Sequence, residues 1–225
     1  MINIAIDGPG GAGKSTISRQ LAKELGYVYV DTGALYRAVG LYCVRQGVST
    51  KDSAAVAGVL KDIHLSLTFA QGEQHVILNE EDVSQAIRLP EISMAASDVS
   101  AIPAVREFLF QLQKDIAKQS NCIMDGRDIG TVVLPEAQVK IFLTATPEDR
   151  ATRRFDELKI KGISADYETV LAELIERDRQ DTTRAAAPLK PAQDAILVDT
   201  TGNCFETSVG LLKEIILTNL DKEVR

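Results

Sequence analysis

The feature that most constrains the fold is a glycine-rich turn between an apolar strand and an amphipathic helix. The letters GPGGAGKS, at residues 8–15, fit the pattern G-x-x-x-x-G-K-[ST]. Residues 2–6 before the turn form a short apolar run, as in a buried strand. After the turn, Ile17, Leu21 and Leu25 recur every four residues, and a glycine then stops the helix. The sequence therefore predicts a strand, a glycine loop and a helix in immediate succession.

This succession suits the binding of a phosphate chain. Glycines let backbone N–H groups curl around an anion without Cβ clashes, and a helix N-terminus adds partial positive charge. Lys14 can reach the β- and γ-phosphates, and the hydroxyl of Ser15 can bind Mg²⁺. A purely structural turn would explain one or two glycines, but not Lys14 and Ser15 at the start of the helix. The motif predicts a nucleoside triphosphate site without specifying the reaction.

Composition narrows the class of protein. A chain of 225 residues with 45% hydrophobic and 25% charged residues is typical of one globular domain. No apolar run approaches the length of a membrane span, and the first strand leaves no room for a signal peptide, so we expect a cytoplasmic protein. The net charge of −7 argues against a protein that coats nucleic acid. Cys43, Cys122 and Cys204 are expected to be reduced thiols, and His64 and His75 lie in no metal-ligand cluster.

Strand-like and helix-like segments alternate along the chain. Five buried strands are predicted from apolar runs at residues 2–6, 27–30, 122–124, 139–143 and 195–198. Six helices are predicted at residues 15–25, 34–45, 103–118, 147–161, 165–181 and 205–220. This alternation predicts an α/β fold with a parallel sheet, whose functional groups gather at the carboxyl ends of the strands.

One stretch breaks the alternation. Residues 63–69, IHLSLTF, alternate apolar and polar side chains, residues 71–73 predict a turn, and residues 75–78 form a second strand-like run. Weak helical segments follow, so we expect an antiparallel excursion at about residues 62–102 within a single domain.

Two segments place polar side chains directly after predicted strands. DTGALYR follows the second strand, and MDGRDIG overlaps the end of the third. Each has a structural explanation: Asp31 or Thr32 can cap a helix, and Arg127 and Asp128 can form a surface ion pair in a turn. Ligands of parallel sheets, however, bind where these residues and Arg37 are expected to lie.

A third segment, ERDRQDTTRAAAPL, closes a predicted helix. Arg177, Asp181 and Arg184 are spaced by four and three residues and therefore share one helical face. On this segment alone, a solvated ladder of ion pairs is favoured over a binding site, because charged helical faces are common. The segment DRATRR is similar, with Arg150 and Arg154 one turn apart.

Taken together, the basic residues predict a second phosphorylated substrate. Although the chain is acidic overall, five basic residues are expected near the carboxyl ends of the strands: Lys14, Arg37, Arg127, Arg177 and Arg184. One nucleoside triphosphate does not need so many cations. Guanidinium groups suit the oxygens of a further phosphate. We find no candidate nucleophile beside a base. A phosphate with a second pKa of about 6 is already largely anionic at pH 7 and needs no general base. Phosphoryl transfer between two phosphates then requires charge neutralisation and alignment.

The segments DGPGGAGKST, DTGALYR, DGRDIGTVV and RDRQDTTRAAAPL, in this order and spacing, resemble the bacterial cytidylate (CMP) kinase family over essentially the whole chain. The resemblance implies a P-loop kinase fold: a five-stranded parallel sheet of strand order 2-3-1-4-5 flanked by helices, with an antiparallel β/α insert and a short helical lid. The insert would span about residues 62–102 and the lid about residues 150–164. It also implies direct in-line transfer of the γ-phosphoryl group of ATP to CMP or dCMP, giving CDP or dCDP, with Mg²⁺, by a cytoplasmic monomer.

The resemblance further implies site residues. The ATP phosphates would be held by Gly8, Pro9, Gly10, Gly11, Ala12, Gly13, Lys14, Ser15 and Thr16, and the hydroxyl of Ser15 would bind Mg²⁺. The acceptor nucleotide would be bound by Thr32, Tyr36, Arg37, Ser97, Arg106, Asp125, Gly126, Arg127, Asp128, Arg177, Asp181 and Arg184.

Within this set the resemblance implies distinct roles. The cytosine would be read by Thr32, Arg106 and Asp128, and the ribose by Ser97, Arg177 and Asp181. The acceptor phosphate would be bound, or bridged to the γ-phosphoryl group, by Arg37, Arg127 and Arg184. The catalytic residues would be Lys14, Arg127, Arg154 and Arg184, and the mobile lid would carry Arg150, Arg153 and Arg154.

Two alternatives differ in class. One is another small P-loop kinase, acting on UMP, AMP or shikimate; the insert and the pair formed by Arg177 and Asp181 favour cytidylate. The other is a nucleotide-gated switch or regulatory ATPase without a small substrate. A guanine-reading N-K-x-D stretch is absent from the sequence, and such a protein would leave the surplus of arginines unexplained.

Overall fold

The computed structural model describes residues 1–70 and 73–223. Its strands, in chain order, are β1 (Asn3–Asp7), β2 (Val28–Asp31), β3 (Leu65–Ala70), β4 (Glu73–Leu78), β5 (Glu81–Asp82), β6 (Cys122–Gly126), β7 (Val139–Thr144) and β8 (Ile196–Asp199). Its α-helices are α1 (Lys14–Leu25), α2 (Thr32–Arg45), α3 (Ser53–Val59), α4 (Pro90–Ser100), α5 (Pro103–Gln119), α6 (Pro147–Ile160), α7 (Tyr167–Thr183) and α8 (Phe205–Glu223).

Five strands form one parallel sheet in the order β2-β6-β1-β7-β8. Counted along the chain, this is 2-3-1-4-5, so the expected P-loop kinase order is confirmed. The register pairs Asp7 with Gly126 and Asp31 with Asp125. The carboxyl ends of β1, β2 and β6 therefore meet at one edge, directly below the glycine loop.

Helices cover both faces of this sheet, which explains why the middle residues of its central strands are apolar. On one face, Ile4 and Ile6 pack with Leu21 of α1 and Leu212 of α8. On the other face, the core includes Met124 and side chains from α5 and from residues 129–137. Burial on both sides holds β1 and β6 rigidly, so the residues that follow them are well positioned.

The predicted strands and helices are confirmed, with ends shifted by a few residues. Several short elements were not predicted, including β5, α3 and a π-helical turn after β6. The short helix α3 buries only Val56 and depends on its Asp52 cap, so it has little apolar periodicity. A π-helical turn occupies Ile129–Val133, whereas the sequence of MDGRDIG suggested only an ordinary turn. It is held by a distant residue, because the Asp7 carboxylate accepts hydrogen bonds from the N–H groups of Ile129 and Gly130 at 2.8 and 2.7 Å.

The antiparallel excursion is confirmed as a three-stranded sheet of order β3-β4-β5. Residues 71 and 72 of the predicted turn lie outside the described residues. The weak helical segments become a 3₁₀ turn at Ala86–Arg88 and helix α4, which packs against α2 through side chains that include Val39 and Ile92. Within residues 1–70 and 73–223, no helix is both long and apolar enough to cross a membrane.

Candidate active site

The glycine loop lies between β1 and α1 and packs against the end of β7. Gly8 has a φ of 149°, and a Cβ atom there would lie 1.9 Å from the carbonyl oxygen of Leu143. Gly13 caps helix α1 with a φ of 85°, in the left-handed region that glycine tolerates. The loop can therefore fold tightly over the sheet and present the N-terminus of α1 to an anion.

Lys14 is buried at the first position of α1, with only 6% of its surface exposed. Its Nζ donates a 2.7 Å hydrogen bond to the carbonyl oxygen of Pro9, within the loop itself. Burial, together with the nearby guanidinium of Arg127, lowers the pKa of Lys14 well below its usual value. An anion bound in the loop would offset both effects and stabilise the charged ammonium.

Ser15 faces a carboxylate at the end of β6. Its hydroxyl donates a 2.7 Å hydrogen bond to Oδ2 of Asp125, and the hydroxyl of Tyr29 lies 3.3 Å from Oδ1 of the same residue. Burial, and then the charge of Asp31, raise the pKa of Asp125 to about 6. The residues fit Mg²⁺, because a hydroxyl and a carboxylate provide the hard oxygen ligands that this ion prefers.

Three arginines of the cleft, Arg37, Arg177 and Arg184, have a buried N–H group without a hydrogen-bond partner among the described residues. The Nε atoms of Arg37, on α2, and Arg177, on α7, are buried and have no hydrogen-bond partner among the described residues. Burial, and then the charge of Arg127, lower the pKa of Arg177 to about 10. Because a buried unpaired donor costs about 1–3 kcal/mol, this arrangement favours the binding of an anion.

Asp128 forms the centre of a second charged group. Its carboxylate is paired with Arg106, and Nη2 of Arg184 lies 3.5 Å from it. The guanidinium of Arg106 also lies over the ring of Tyr36, 5.7 Å from its centroid. Burial raises the pKa of Asp128 even though Arg106, Arg184 and Arg127 act to lower it. The result is a buried donor and acceptor pair at the side of the cleft.

Asp181 is not part of a solvated ladder, since only 4% of its surface is exposed. Its Oδ2 accepts a 2.7 Å hydrogen bond from Nε of Arg127. Burial acts to raise the pKa of Asp181, but Arg127 and Arg177 bring it below its usual value. The solvent-exposed ion pair on α7 is formed instead by Glu176 and Arg179. The ladder interpretation is therefore wrong for the face that carries Asp181.

The remaining predicted site residues take several positions. Thr32 donates a 2.8 Å hydrogen bond to the carbonyl oxygen of Asp125, while Asp31 is the cap of α2. The hydroxyl of Ser97 donates to Oε1 of Gln180 at 3.1 Å. Arg154 is partly exposed and pairs with the nearby Glu157 on the same helix.

Arg150, which the resemblance assigns to the lid, is buried. Only 3% of its surface is exposed, and its side chain lies beneath the glycine loop, bonded to the carbonyl oxygen of Gly10. Arg153 bonds at 2.6 Å to the carbonyl oxygen of Thr200, just after β8. These two side chains join α6 to the glycine loop and to the end of β8, and the mobility of a lid at about residues 150–164 stays a prediction.

Most of the predicted residues line one cleft of about 1670 Å³. The predicted residues that do not line it are Gly8, Pro9, Ala12 and Arg150. Sites for a single small ligand usually measure about 300–1,000 Å³, so the cleft has room for two nucleotides. The glycine loop and the arginines of the predicted acceptor site therefore line the same cavity.

Several polar residues near the site lie outside the predicted set. Asp7 bonds to the π-helical turn, and Tyr29 bonds to Asp125. Ser100 contacts Arg184, and Asp178 pairs with Arg150. An acid at the end of β1 was visible in the sequence. No local pattern signalled the other three, because their partners are far away along the chain.

A phosphate-binding loop on a parallel sheet, facing a basic cluster within one cleft, defines a P-loop kinase. The sequence profile of the cytidylate kinase family matches residues 4–217. The chain belongs to the cytidylate kinase family and is a kinase.

Curated cytidylate kinases are similar to this chain over nearly its full length. The cytidylate kinase of Caldicellulosiruptor saccharolyticus is 51% identical, over 99% of this chain and 99% of that protein. That of Carboxydothermus hydrogenoformans is 49% identical, over 96% and 97%. A solved structure of an uncharacterized protein from Eubacterium ventriosum is similar in fold, with a TM-score of 0.56, 11% identity and coverage of 96% and 98%.

Proposed function

We propose that the protein transfers the γ-phosphoryl group of ATP to CMP and dCMP, giving ADP with CDP or dCDP, as a cytoplasmic monomer that uses Mg²⁺. The observation that carries the proposal is the pair of buried, unpartnered Nε groups on Arg37 and Arg177, in the same cleft as the glycine loop. These groups need an anion other than the one that the loop binds. The family and its curated members support the choice of a monophosphate as that anion.

On the donor side, backbone N–H groups of the loop and the ammonium of Lys14 would bind the β- and γ-phosphates. The ammonium of Lys14 is bonded to the carbonyl oxygen of Pro9, within the loop. Only a small movement would therefore bring it to a phosphate oxygen. Mg²⁺, held by Ser15 with Asp125 behind it, would neutralise phosphate charge and orient the chain.

On the acceptor side, arginines would hold the monophosphate in line with the γ-phosphorus. An acceptor phosphate oxygen forms the new O–P bond while the bond from the γ-phosphorus to the bridging oxygen of ADP breaks, and ADP leaves with that electron pair. The attacking oxygen is already anionic, which explains why the cleft needs no general base. Arg127 and Arg184 would stabilise charge spread over the transferring group, with Arg154 approaching from α6.

The base and ribose sites are inferred from hydrogen-bonding capacity. Cytosine presents an amino donor beside ring acceptors, which complements the carboxylate of Asp128 beside the guanidinium of Arg106. Uracil would present a carbonyl oxygen to the carboxylate, so UMP is disfavoured. Asp181 and Arg177 lie one turn apart on α7, where they can reach the ribose hydroxyls together with Ser97.

The test is an ADP-release assay with ATP and a panel of CMP, dCMP, UMP, AMP and shikimate, with the product identified by chromatography. We expect turnover with CMP and dCMP that far exceeds turnover with the other acceptors and that stops when EDTA removes Mg²⁺. Preferred turnover of another acceptor would refute the substrate assignment. ATP hydrolysis that needs no acceptor would favour a regulatory ATPase.

A further inference from the structure

Arg150, near the start of α6, makes three polar contacts while almost fully buried. Its Nε donates to the carbonyl oxygen of Ala145 at 2.9 Å, and its Nη1 donates to the carbonyl oxygen of Gly10 at 2.9 Å. Its Nη2 lies 2.6 Å from Oδ2 of Asp178 on α7. One guanidinium thus joins the end of β7, the glycine loop and the helix that carries Arg177 and Asp181.

The contact with Gly10 controls the direction of a loop amide. Gly10 and Gly11 share a trans peptide unit, in which the C=O and the N–H point in opposite directions. Holding the Gly10 carbonyl towards Arg150 therefore turns the Gly11 N–H away from Arg150. The backbone packs closely as well, since a Cβ atom on Gly11 would lie 3.1 Å from the Cβ of Arg150. Arg150 consequently limits the conformations that the loop can adopt.

The contact with Asp178 extends this constraint to the acceptor side. Asp178 directly follows Arg177 and lies three residues before Asp181, so one turn of α7 carries both acceptor residues and the partner of Arg150. The other carboxylate oxygen of Asp178 is buried without a hydrogen-bond partner among the described residues. The orientation of this carboxylate is therefore set mainly by Arg150. A shift of this turn towards an acceptor would act on Arg150 and, through it, on the Gly10–Gly11 peptide.

We propose that Arg150 and Asp178 are a pair of positioning residues that couples the donor loop to the acceptor-binding turn of α7. Through this pair, the binding of one nucleotide strengthens the binding of the other. The inference rests on the proposed function for the identity of the two nucleotides. Because coupling between two binding sites is reciprocal, each ligand must change the affinity for the other by the same factor.

The decisive variant is Asp178→Asn, which keeps the shape of the side chain and removes its charge. Isothermal calorimetry measures the dissociation constant of AMP-PNP, a non-hydrolysable ATP analogue, with and without saturating CMP. For the wild-type protein we expect CMP to tighten AMP-PNP binding by about 5-fold or more, the lower range of typical coupling factors. In Asp178→Asn this factor should fall towards one, while CMP alone binds nearly as well as before. A wild-type factor retained by the variant, or a factor of one in the wild type, would overturn the proposal.

A matched control is available on the same helix. Arg179→Gln removes the exposed pair with Glu176 and should keep the wild-type coupling factor. Arg150→Lys is the second test, because it keeps the charge but cannot make all three contacts. Arg150→Lys should lose the coupling too. If Asp178→Asn does not fold, the coupling factor of Arg150→Lys tests the proposal instead. Thermal unfolding establishes which variants are folded.

The outcomes separate this inference from the proposed function. A wild-type protein that does not phosphorylate CMP contradicts the proposed function, whatever the coupling. A wild-type protein that phosphorylates CMP, together with unchanged coupling in Asp178→Asn, contradicts only the role of the pair. Simple destabilisation of the fold would weaken the binding of both nucleotides without changing the factor that relates them.

Discussion

The Nε of Arg127 donates a 2.7 Å hydrogen bond to Oδ2 of Asp181, and the two residues are separated by 54 positions in the sequence. Arg127 follows β6, whereas Asp181 lies in the last turn of α7. Both side chains are largely buried, so this pair is not one of the surface ion pairs that contribute little to stability. Asp181 therefore both lines the cleft and orients an arginine of the candidate acceptor site.

Asp181→Ala should shift the preference between CMP and dCMP. If Asp181 accepts a hydrogen bond from the 2′-hydroxyl, its loss penalises CMP more than dCMP, which has no such group. The ratio of kcat/KM values should move towards dCMP by about 0.5–3 kcal/mol, the range for a neutral or charge-assisted hydrogen bond. Because Arg127 also loses its partner, both rates should fall, and the ratio is the quantity to measure. Glu176→Gln, on the exposed side of α7, is the control; an unchanged ratio in Asp181→Ala would remove this residue from the ribose site.

Lys14→Met should abolish most phosphoryl transfer and leave the fold intact. The substitution keeps the length of a buried side chain but removes the ammonium that would neutralise charge on the transferring group. Removing one such stabilising group commonly lowers kcat by about 10²–10³-fold. Turnover and thermal unfolding should be measured together, with Lys23→Met, an exposed residue of α1, as the control. Near-native turnover in Lys14→Met would contradict the proposed phosphate site.

Asp128→Asn should weaken the use of CMP far more than that of ATP. Asparagine is preferred to alanine, because truncation would leave the buried guanidinium groups of Arg106 and Arg184 without their partner. The variant replaces a charge-assisted hydrogen bond, worth about 1.5–3 kcal/mol, by a neutral one worth about 0.5–1.5 kcal/mol, so kcat/KM for CMP should fall by about 5–10-fold. Steady-state kinetics with each substrate varied in turn checks this. An equal rise in both Michaelis constants, or a rise for ATP alone, would argue against the base-reading role.

The buried carboxylate of Asp7 should make stability depend on pH. Burial raises its pKa from 3.8 to about 6, although two backbone N–H groups and Lys14 lower it in part. Between these values the folded protein retains a proton that the unfolded chain has lost, so the free energy of unfolding decreases as pH rises. A shift of about two pKa units corresponds to about 3 kcal/mol.

Asp7→Asn removes this titration and isolates its contribution. Urea unfolding of wild type and variant at several pH values from 4 to 8 gives the difference in unfolding free energy. We expect the wild type to lose stability relative to the variant between about pH 4 and 6, and the difference to become constant above about pH 7. The carboxylate of Asp125, whose pKa is also raised, is present in both proteins and cancels. A difference that is constant across the whole range would show that Asp7 titrates normally.

The elements with strong local patterns were predictable from the sequence. The glycine loop and its flanks combine an apolar run, a residue pattern and a helical period within residues 2–26, so their structure is encoded locally. The buried strands likewise follow from short apolar runs, and the amphipathic helices follow from apolar residues that recur every three to four positions. The strand order 2-3-1-4-5 was expected from the family resemblance, since periodicity alone does not say which strands pair.

Only the tertiary structure decided which charged residues are buried, and against what. The spacing of Arg177, Asp181 and Arg184 is compatible with a surface ladder and with a binding face, and on this segment alone it favoured the ladder. The packing of α7 buries Asp181 and thereby excludes the solvated ladder. Arg150 looked like its neighbours in DRATRR, yet it alone of the three arginines is fully buried beneath the loop.

The physical reason is sequence separation. The bonds that organise the site join Ser15 to Asp125, Asp7 to Gly130 and Arg150 to Gly10, across 110, 123 and 140 positions. A local pattern records the propensity of a segment for helix or strand. The burial and partner of a charged side chain depend on which distant segment packs against it, and that is determined when the sheet and its helices assemble.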